Sequence, residues 1–171
     1  MIFIGIGGNL PSDQSGSTMR TLKKTLQFID SNLCRVVRYS PLYRSAPVPI
    51  TDEPDYLNAV AESETLLNAT ELLANLHDVE KKFGRVRSVK NASRTVDLDL
   101  LVYHNQVIEI DGESGLRVPH PRLAERAFVL LPFFDLEPDW VHPISKQTIS
   151  NLIRNLPAEQ RCERVACDLW Q

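Results

Sequence analysis

The sequence has 171 residues, of which 43% are apolar and 24% are charged, and its net charge is −3. These values are typical of one globular domain, which we expect to span residues 1–171, and they exclude a strongly basic nucleic-acid-binding protein. No apolar run approaches the length of a transmembrane helix, and the start MIFIGIGGNL lacks the charged segment of a signal peptide. We therefore expect a cytoplasmic monomer without nucleic-acid or membrane partners.

The first half of the chain shows alternating strand and helix patterns. A short apolar run predicts a buried first strand, and Met19, Leu22, Leu26 and Ile29 recur at helical spacing. The turn at residues 8–11 could approach a phosphate, although it matches no established phosphate-binding motif. The predicted elements are a strand at 1–7, a helix at 17–32, a strand at 36–43 interrupted near Pro41, a proline-rich loop at 45–54 and a strand at 56–65.

The second half repeats this pattern. Asn68 followed by Glu71 predicts a helix that begins with a capping box, and Gly84 predicts its end. We predict a loop at 89–93, a strand at 94–103 that forms a hairpin with 107–110, and helical segments at 123–134 and 149–156. The tail at 157–171 is polar and carries no recognisable motif. The order β-α-β-β-α-β-β is the ferredoxin-like pattern, so we predict an α+β fold with an antiparallel sheet and helices packed on its faces.

A pair of acidic residues lies in the strand after Arg94. Apolar residues alternate with Asp97 and Asp99, so one strand face is apolar and the other carries two carboxylates, with Cα atoms about 6.5–7 Å apart. Like charges on one face repel each other, and a divalent cation is the usual compensation. Two carboxylates together with phosphate oxygens suit Mg²⁺.

Three arginines, Arg85, Arg87 and Arg94, lie just upstream of this acidic pair. Cations beside paired carboxylates indicate a site that holds a small polyanion from both sides. The alternative is a structural salt-bridge cluster in which Asp97 and Asp99 pair with the arginines. The local pattern alone leaves both interpretations open.

Four stretches stand in a characteristic order. They are SPLYRSAP at 40–47, DYLN at 55–58, GRVR at 84–87 leading to RTVDLD at 94–99, and VPH at 118–120 leading to RAF at 126–128. In this order and spacing the chain resembles the 6-hydroxymethyl-7,8-dihydropterin pyrophosphokinases of folate biosynthesis up to about Trp140. The R-T-x-D-x-D run with the upstream G-R-x-R is the specific part of the resemblance.

The resemblance implies a ferredoxin-like α+β fold and an ATP-dependent enzyme. The implied reaction transfers pyrophosphate from ATP to the hydroxymethyl group of the reduced pterin and gives AMP. Asp97 and Asp99 would ligate two Mg²⁺ ions, and Arg85 and Arg94 would be catalytic arginines that clamp the phosphates. The implied substrate contacts are Glu80, Arg87, His120 and Arg126 for ATP, and Tyr56, Asn58, Phe128 and the backbone around Ser45, Ala46 and Val48 for the pterin.

Several residues retain alternative interpretations on the sequence alone. Glu80 could be a solvated helix residue, His120 a surface histidine, and Phe128 a core residue. The chain also departs from the family pattern, with Ser45-Ala46 in place of threonine-proline, and with a loop before Arg94 that lacks a W-G-P run. A palm-type nucleotidyltransferase and a non-enzymatic ferredoxin-like ligand-binding module are the alternative functions.

Overall fold

The computed structural model of the chain describes residues 1–12, 15–47, 52–84, 93–111 and 115–166. Within these ranges, every helix is too short or too polar to span a lipid bilayer. The strands are β1 (Ile2–Gly8), β2 (Arg35–Tyr39), β3 (Tyr43–Ser45), β4 (Tyr56–Glu64), β5 (Asp97–Tyr103), β6 (Ile108–Glu109), β7 (Arg117–Val118) and β8 (Cys162–Arg164). The helices are α1 (Thr18–Asn32), α2 (Ala69–Lys82), the 3₁₀ helix Leu123–Glu125, α3 (Ala127–Leu136) and α4 (Ile149–Arg154).

The main sheet is antiparallel, with the strand order β5-β1-β4-β3-β8. Strand β2 also pairs with β4, next to the part of β4 that pairs with β3. The predicted strand interrupted near Pro41 is therefore confirmed, because β2 and β3 follow one edge of β4 in succession. The predicted α+β fold with an antiparallel sheet is confirmed, and the strand order is consistent with the ferredoxin-like pattern.

The two faces of the sheet bury different helices. Ile2, Ile4 and Ile6 of β1 join the apolar core that contains residues of α1 and α2. Phe3 points to the opposite face, where it packs with Phe133 of α3 in a second core. This division follows from the period of two along a strand, which sends successive side chains to opposite faces.

Helix α2 has the termini that its sequence predicts. The Asn68 side chain accepts the Glu71 N–H at 3.0 Å, and the Glu71 carboxylate accepts the Asn68 N–H at 2.9 Å, which completes the capping box. At the other end, Gly84 has a φ of 87°, a value that favours glycine over residues with a Cβ. Both ends of this helix were therefore predictable from the local sequence.

One prediction about the second half is wrong. Ile108 and Glu109 of β6 pair with β7, opposite Val118 and Arg117, and do not form the predicted hairpin with β5. In the tail, for which the sequence offered no motif, Cys162–Arg164 forms β8 and extends the main sheet beside β3. These strands have only two or three residues, so their local sequence carries little information about their partners.

Helix α3 covers only part of its sheet face. It begins at Ala127, and its apolar residues pack over Phe3, Val60 and Leu101. The same face continues past the start of this helix to Asp97 and Asp99, where the helix no longer covers it. The fold thus leaves an accessible recess beside the acidic pair.

Candidate active site

The acidic pair stands opposite glycines of the neighbouring strand. Asp97 is paired with Gly7 and Asp99 with Gly5. A Cβ at Gly7 would lie 2.8 Å from the Asn58 side-chain oxygen, a contact too short for an unshifted side chain. The glycines therefore keep the sheet face open between the two aspartates and Asn58.

Each aspartate is paired with a cation in this structure. Arg94 Nη1 lies 2.8 Å from Asp97 Oδ2, and Arg126 Nη1 lies 3.3 Å from Asp99 Oδ2. His120 Nε2 lies 3.9 Å from the other oxygen of Asp99. Two acids and two arginines thus lie close together, an arrangement that is compatible with both interpretations of the acidic pair.

Burial and neighbouring charges act on the two arginines in opposite directions. Burial lowers the pKa of Arg94, but the Asp97 charge and hydrogen bonds with Asp97 and Tyr56 outweigh it, so the pKa is raised overall. Burial lowers the pKa of Arg126, and the Asp99 charge only partly opposes that shift. Because a guanidinium starts from a very high pKa, both remain cationic at neutral pH.

His120 is a neutral hydrogen-bond donor at this site. Burial lowers the pKa of the imidazole below its ordinary value, although the Asp99 charge opposes the shift. Nδ1 accepts the N–H of Arg122 at 3.1 Å, so the proton of the neutral ring lies on Nε2, which faces Asp99. The ring can therefore donate one hydrogen bond to an anionic group placed beside Asp99.

Two cavities share Asp99 as a lining residue. One is narrow, about 30 Å³, and its lining includes Asp97, Asn58 and Phe128. The other is larger, about 190 Å³, and its lining includes His120 and apolar side chains of α2 and β5. Asp99 lines both, so groups bound in the two cavities would be neighbours on either side of this residue.

Two of the predicted pterin-side residues line the narrow cavity, and the other described ones lie elsewhere. Asn58 and Phe128 line it, and the Asn58 amide donates to Ser45 Oγ at 3.0 Å. Tyr56 lies instead beside Arg94, with which it forms a side-chain hydrogen bond. The Ala46 N–H donates to the Arg161 carbonyl at 3.2 Å and is thus already occupied.

Glu80 lies beneath the acidic strand. Its side chain is buried, with the residue only 1% exposed, and Oε1 accepts the N–H of Leu98 at 2.8 Å. The alternative interpretation, in which Glu80 is exposed to solvent on the surface of the helix, is therefore wrong. Since Leu98 separates the two aspartates, Glu80 fixes the strand that presents them, and it lines neither cavity.

Asn9 is a residue that the sequence analysis did not assign to the site. Its Oδ1 accepts the Arg94 N–H at 2.9 Å, and its own N–H donates to the Arg94 carbonyl at 3.0 Å. Its Nδ2 donates to the Pro54 carbonyl and to Ser93 Oγ, both at 3.1 Å. The polar turn after β1 was visible in the sequence, but its partner 85 residues away was not.

The chain matches the sequence model of the 7,8-dihydro-6-hydroxymethylpterin-pyrophosphokinase (HPPK) family over residues 3–138. The chain belongs to this family. A relative from Haemophilus influenzae, named 2-amino-4-hydroxy-6-hydroxymethyldihydropteridine pyrophosphokinase, is 36% identical over 154 residues, which cover 89% of this chain and 90% of the relative. The HPPK resemblance read from the motifs is thereby confirmed.

Other HPPK relatives are longer proteins. The folic acid synthesis protein fol1 of Pneumocystis carinii is 32% identical over 155 residues, covering 91% of this chain, but the chain spans only 20% of its length. A crystal structure of a Plasmodium falciparum HPPK-DHPS triple mutant has a TM-score of 0.66 at 13% identity, covering 90% of this chain and 43% of that chain. At this identity the likeness shows the fold alone.

Three residues that the HPPK resemblance assigned to the site lie outside the described residues. They are Arg85, Arg87 and Val48. The structure brings together Arg94, Asp97, Asp99, His120, Arg126, Asn58 and Phe128, and it places Tyr56 beside Arg94. The residues assigned from widely separated motifs thus converge on one region of the sheet.

Proposed function

We propose that this chain transfers pyrophosphate from ATP to the hydroxymethyl group of 6-hydroxymethyl-7,8-dihydropterin and releases AMP, as a step of folate biosynthesis. The observation that carries the proposal is the position of Asp99, which lines two cavities. Transfer between two substrates requires their reacting ends to be held together in one orientation. Family membership indicates which substrates these are, and the two cavities offer a place for each.

The narrow cavity suits the pterin. Its floor is the glycine-containing sheet face, Phe128 can stack on a flat ring, and Asn58 can hydrogen-bond the ring edge. The backbone around Ser45, Ala46 and Val48 would complete the pocket, with Ala46 contributing its carbonyl because its N–H is occupied. A cavity of about 30 Å³ is narrow for a bicyclic ring, so we expect side chains to adjust on binding.

The larger cavity suits the nucleotide. Leu73, Leu100 and Leu116 give it apolar walls for a purine, and His120 stands where it meets Asp99. His120 Nε2 and the Arg126 guanidinium would then donate to phosphate oxygens, and Arg87 would add a further contact. We assign Glu80 to positioning the acidic strand, because its carboxylate is engaged with Leu98.

The donor set beside these cavities fits magnesium. The Asp97 and Asp99 side chains are 28% and 30% exposed, lie on one face, and offer the oxygen ligands that Mg²⁺ prefers. No group of three or more His, Cys, Asp or Glu that could hold a metal occurs in the described part of the chain, so phosphate oxygens would have to complete the coordination. We propose that the two aspartates hold two Mg²⁺ ions with ATP, where the ions would neutralise phosphate charge.

The chain's own cations would position the phosphates and stabilise developing charge. Arg94 and Arg126 already face the acidic pair, and Arg85 would join them. The hydroxymethyl oxygen attacks the β-phosphorus as the bond to the AMP oxygen breaks, so no protein nucleophile is required. Catalysis would then consist of orientation and charge stabilisation, as is general for phosphoryl transfer.

The test is the dependence of AMP formation on both substrates. The full chain is incubated with Mg²⁺ and ATP, with and without the pterin, and the nucleotides and pterins are separated. We expect AMP and pterin diphosphate in equal amounts, formed only when ATP, Mg²⁺ and pterin are all present. Binding of both ligands without any AMP would instead favour the ligand-binding module. The monomeric state, the cytoplasmic location and the single domain over residues 1–171 stay predictions from the sequence.

A further inference from the structure

A segment near the C-terminus contacts the start of helix α3 and pairs with strand β3, two elements next to residues that line the narrow cavity. We define the C-terminal strap as residues 160–164, which lie outside the part of the chain matched by the family model, residues 3–138. One end of the strap contacts the start of α3, which carries Phe128, and the rest pairs with β3, which ends at Ser45. The sequence offered no motif in this segment, and the structure suggests a role for it.

The Gln160 side chain caps helix α3, although it lies 33 residues after Ala127 in the sequence. Its Oε1 accepts the Ala127 N–H at 2.8 Å, and its Nε2 donates to the Glu125 carbonyl at 2.7 Å. The residue that precedes the helix, Arg126, forms no side-chain capping bond of its own. The first N–H groups of a helix lack acceptors within the helix. Gln160 therefore supplies a hydrogen-bond acceptor that the residues next to α3 do not.

This cap lies between two residues of the proposed site. Ala127 is flanked by Arg126, which pairs with Asp99, and by Phe128, which lines the narrow cavity. The Arg126 guanidinium carbon is also 5.5 Å from the centre of the Phe128 ring. Arg126 is also held by its ion pair with Asp99, so fixing the Ala127 backbone matters chiefly for the position of Phe128.

The remainder of the strap contacts β3 and the start of β4. Cys162 is paired with Ser45, and the Arg161 carbonyl accepts the Ala46 N–H at 3.2 Å. One guanidinium nitrogen of Arg161 lies 3.0 and 3.1 Å from the two oxygens of Asp55, the residue before β4. The strap thus links β3, whose Ser45 accepts a hydrogen bond from Asn58, to the helix that carries Phe128.

We propose that Gln160 is a positioning residue for the pterin side of the site, acting through Ala127. The inference rests on the proposed function, in which Phe128 and Asn58 contact the pterin. Glutamine suits this position because it accepts and donates at once. Glutamate would keep the bond from the Ala127 N–H but would lose the donor to the Glu125 carbonyl.

The experiment compares Gln160→Ala and Gln160→Glu in the full chain, with Gln147→Ala as the matched control. Gln147 accepts a hydrogen bond from Asn155 at 3.2 Å and lines neither cavity. Dissociation constants are measured separately for the pterin and for Mg²⁺ with a non-hydrolysable ATP analogue. Gln160→Ala should weaken pterin binding about fivefold, the effect of losing about one net hydrogen bond, and change nucleotide binding less than twofold.

Gln160→Glu should give an intermediate loss of pterin affinity, and Gln147→Ala should give none. A lower melting temperature for Gln160→Ala with unchanged pterin affinity would overturn the proposal, and so would equal losses for both ligands. If Gln160→Ala does not fold, wild-type pterin affinity in Gln160→Glu would overturn it. Failure of the wild-type chain to bind the pterin or form AMP would instead contradict the proposed function, so the two failures are distinguishable.

Discussion

Arg94 and Asp97 form an ion pair across the start of β5, with Arg94 Nη1 2.8 Å from Asp97 Oδ2 and side chains that are 19% and 28% exposed. Because both side chains are mostly buried, the cost of removing the charges from water offsets much of their attraction, so stability is a weak reason for the pair. Asp99 and Arg126 repeat the arrangement nearby. In the proposed function, a polyanion with its cations would separate such pairs, because phosphates attract the arginines and metal ions attract the carboxylates.

The variants Asp97→Asn and Asp99→Asn test whether these pairs serve catalysis. An amide keeps the shape of the carboxylate but is a poorer ligand for Mg²⁺, so we expect turnover to be nearly abolished. Each change removes an attraction to an arginine as well as the repulsion between the aspartates. The melting temperature should therefore shift by no more than about 2–4 °C, the equivalent of about 1 kcal/mol.

The control is Asp78→Asn on α2. Asp78 pairs with Lys81 at 2.7 Å, and the two residues are three apart in sequence, as Arg94 and Asp97 are. This variant should leave both turnover and melting temperature nearly unchanged. Near-normal turnover in Asp97→Asn with a large loss of melting temperature would establish the structural salt-bridge cluster and contradict the catalytic assignment.

Arg94 should matter more for turnover than for ATP affinity. Its guanidinium faces the acidic pair, where charge would develop during transfer. Arg94→Ala should lower kcat by roughly 10²–10³, the usual effect of removing one transition-state donor. Arg35→Ala is the control, because Arg35 forms an exposed pair with Glu64 away from the site. A changed ATP dissociation constant with unchanged kcat would show that the assigned role is wrong.

Asn9 should act through Arg94. Because its side chain holds the Arg94 N–H, Asn9→Ala should misplace the arginine and lower kcat about tenfold. In the Arg94→Ala background the same change should have less than about a twofold effect, since there is no guanidinium left to position. The four kcat values form a double-mutant cycle. Effects that simply multiply would show that Asn9 contributes independently of Arg94.

Phe128 should contribute to pterin affinity through stacking. Phe128→Ala should weaken pterin binding by about 1–3 kcal/mol, judged from base stacking on aromatic side chains, and leave Mg-ATP binding nearly intact. Phe134→Ala provides the control, because Phe134 lies on the same helix and is 37% exposed. If both ligands lost affinity equally, the substitution would have damaged the core that Phe128 borders.

The acidic strand and the helix ends were predictable because their signals are local. The alternation around Asp97 and Asp99 determines one shared face whatever the rest of the chain does. The capping box of Asn68 and Glu71 likewise involves residues three apart. Each of these features needs only neighbouring residues to form.

Features that depend on distant partners were not predictable in this way. The strand Ile108–Glu109 has the composition of a hairpin partner for β5, yet it pairs with Arg117–Val118. Asn9 and Gln160 are polar residues in turns, and what makes them relevant is the backbone of Arg94 and of Ala127. A single sequence contains no signal for such contacts, since a polar side chain can find a partner anywhere on the folded surface.

The fate of isotopic label in ATP tests the central claim most directly. The full chain is incubated with Mg²⁺, the pterin and ATP labelled with ³²P at either the α or the β position. Pyrophosphate transfer predicts that the β label appears in the pterin product while the α label stays in AMP. An α label in the pterin product with release of free pyrophosphate would establish nucleotidyl transfer of the palm type. A β label retained in ADP would establish simple phosphoryl transfer, and either result would contradict the account.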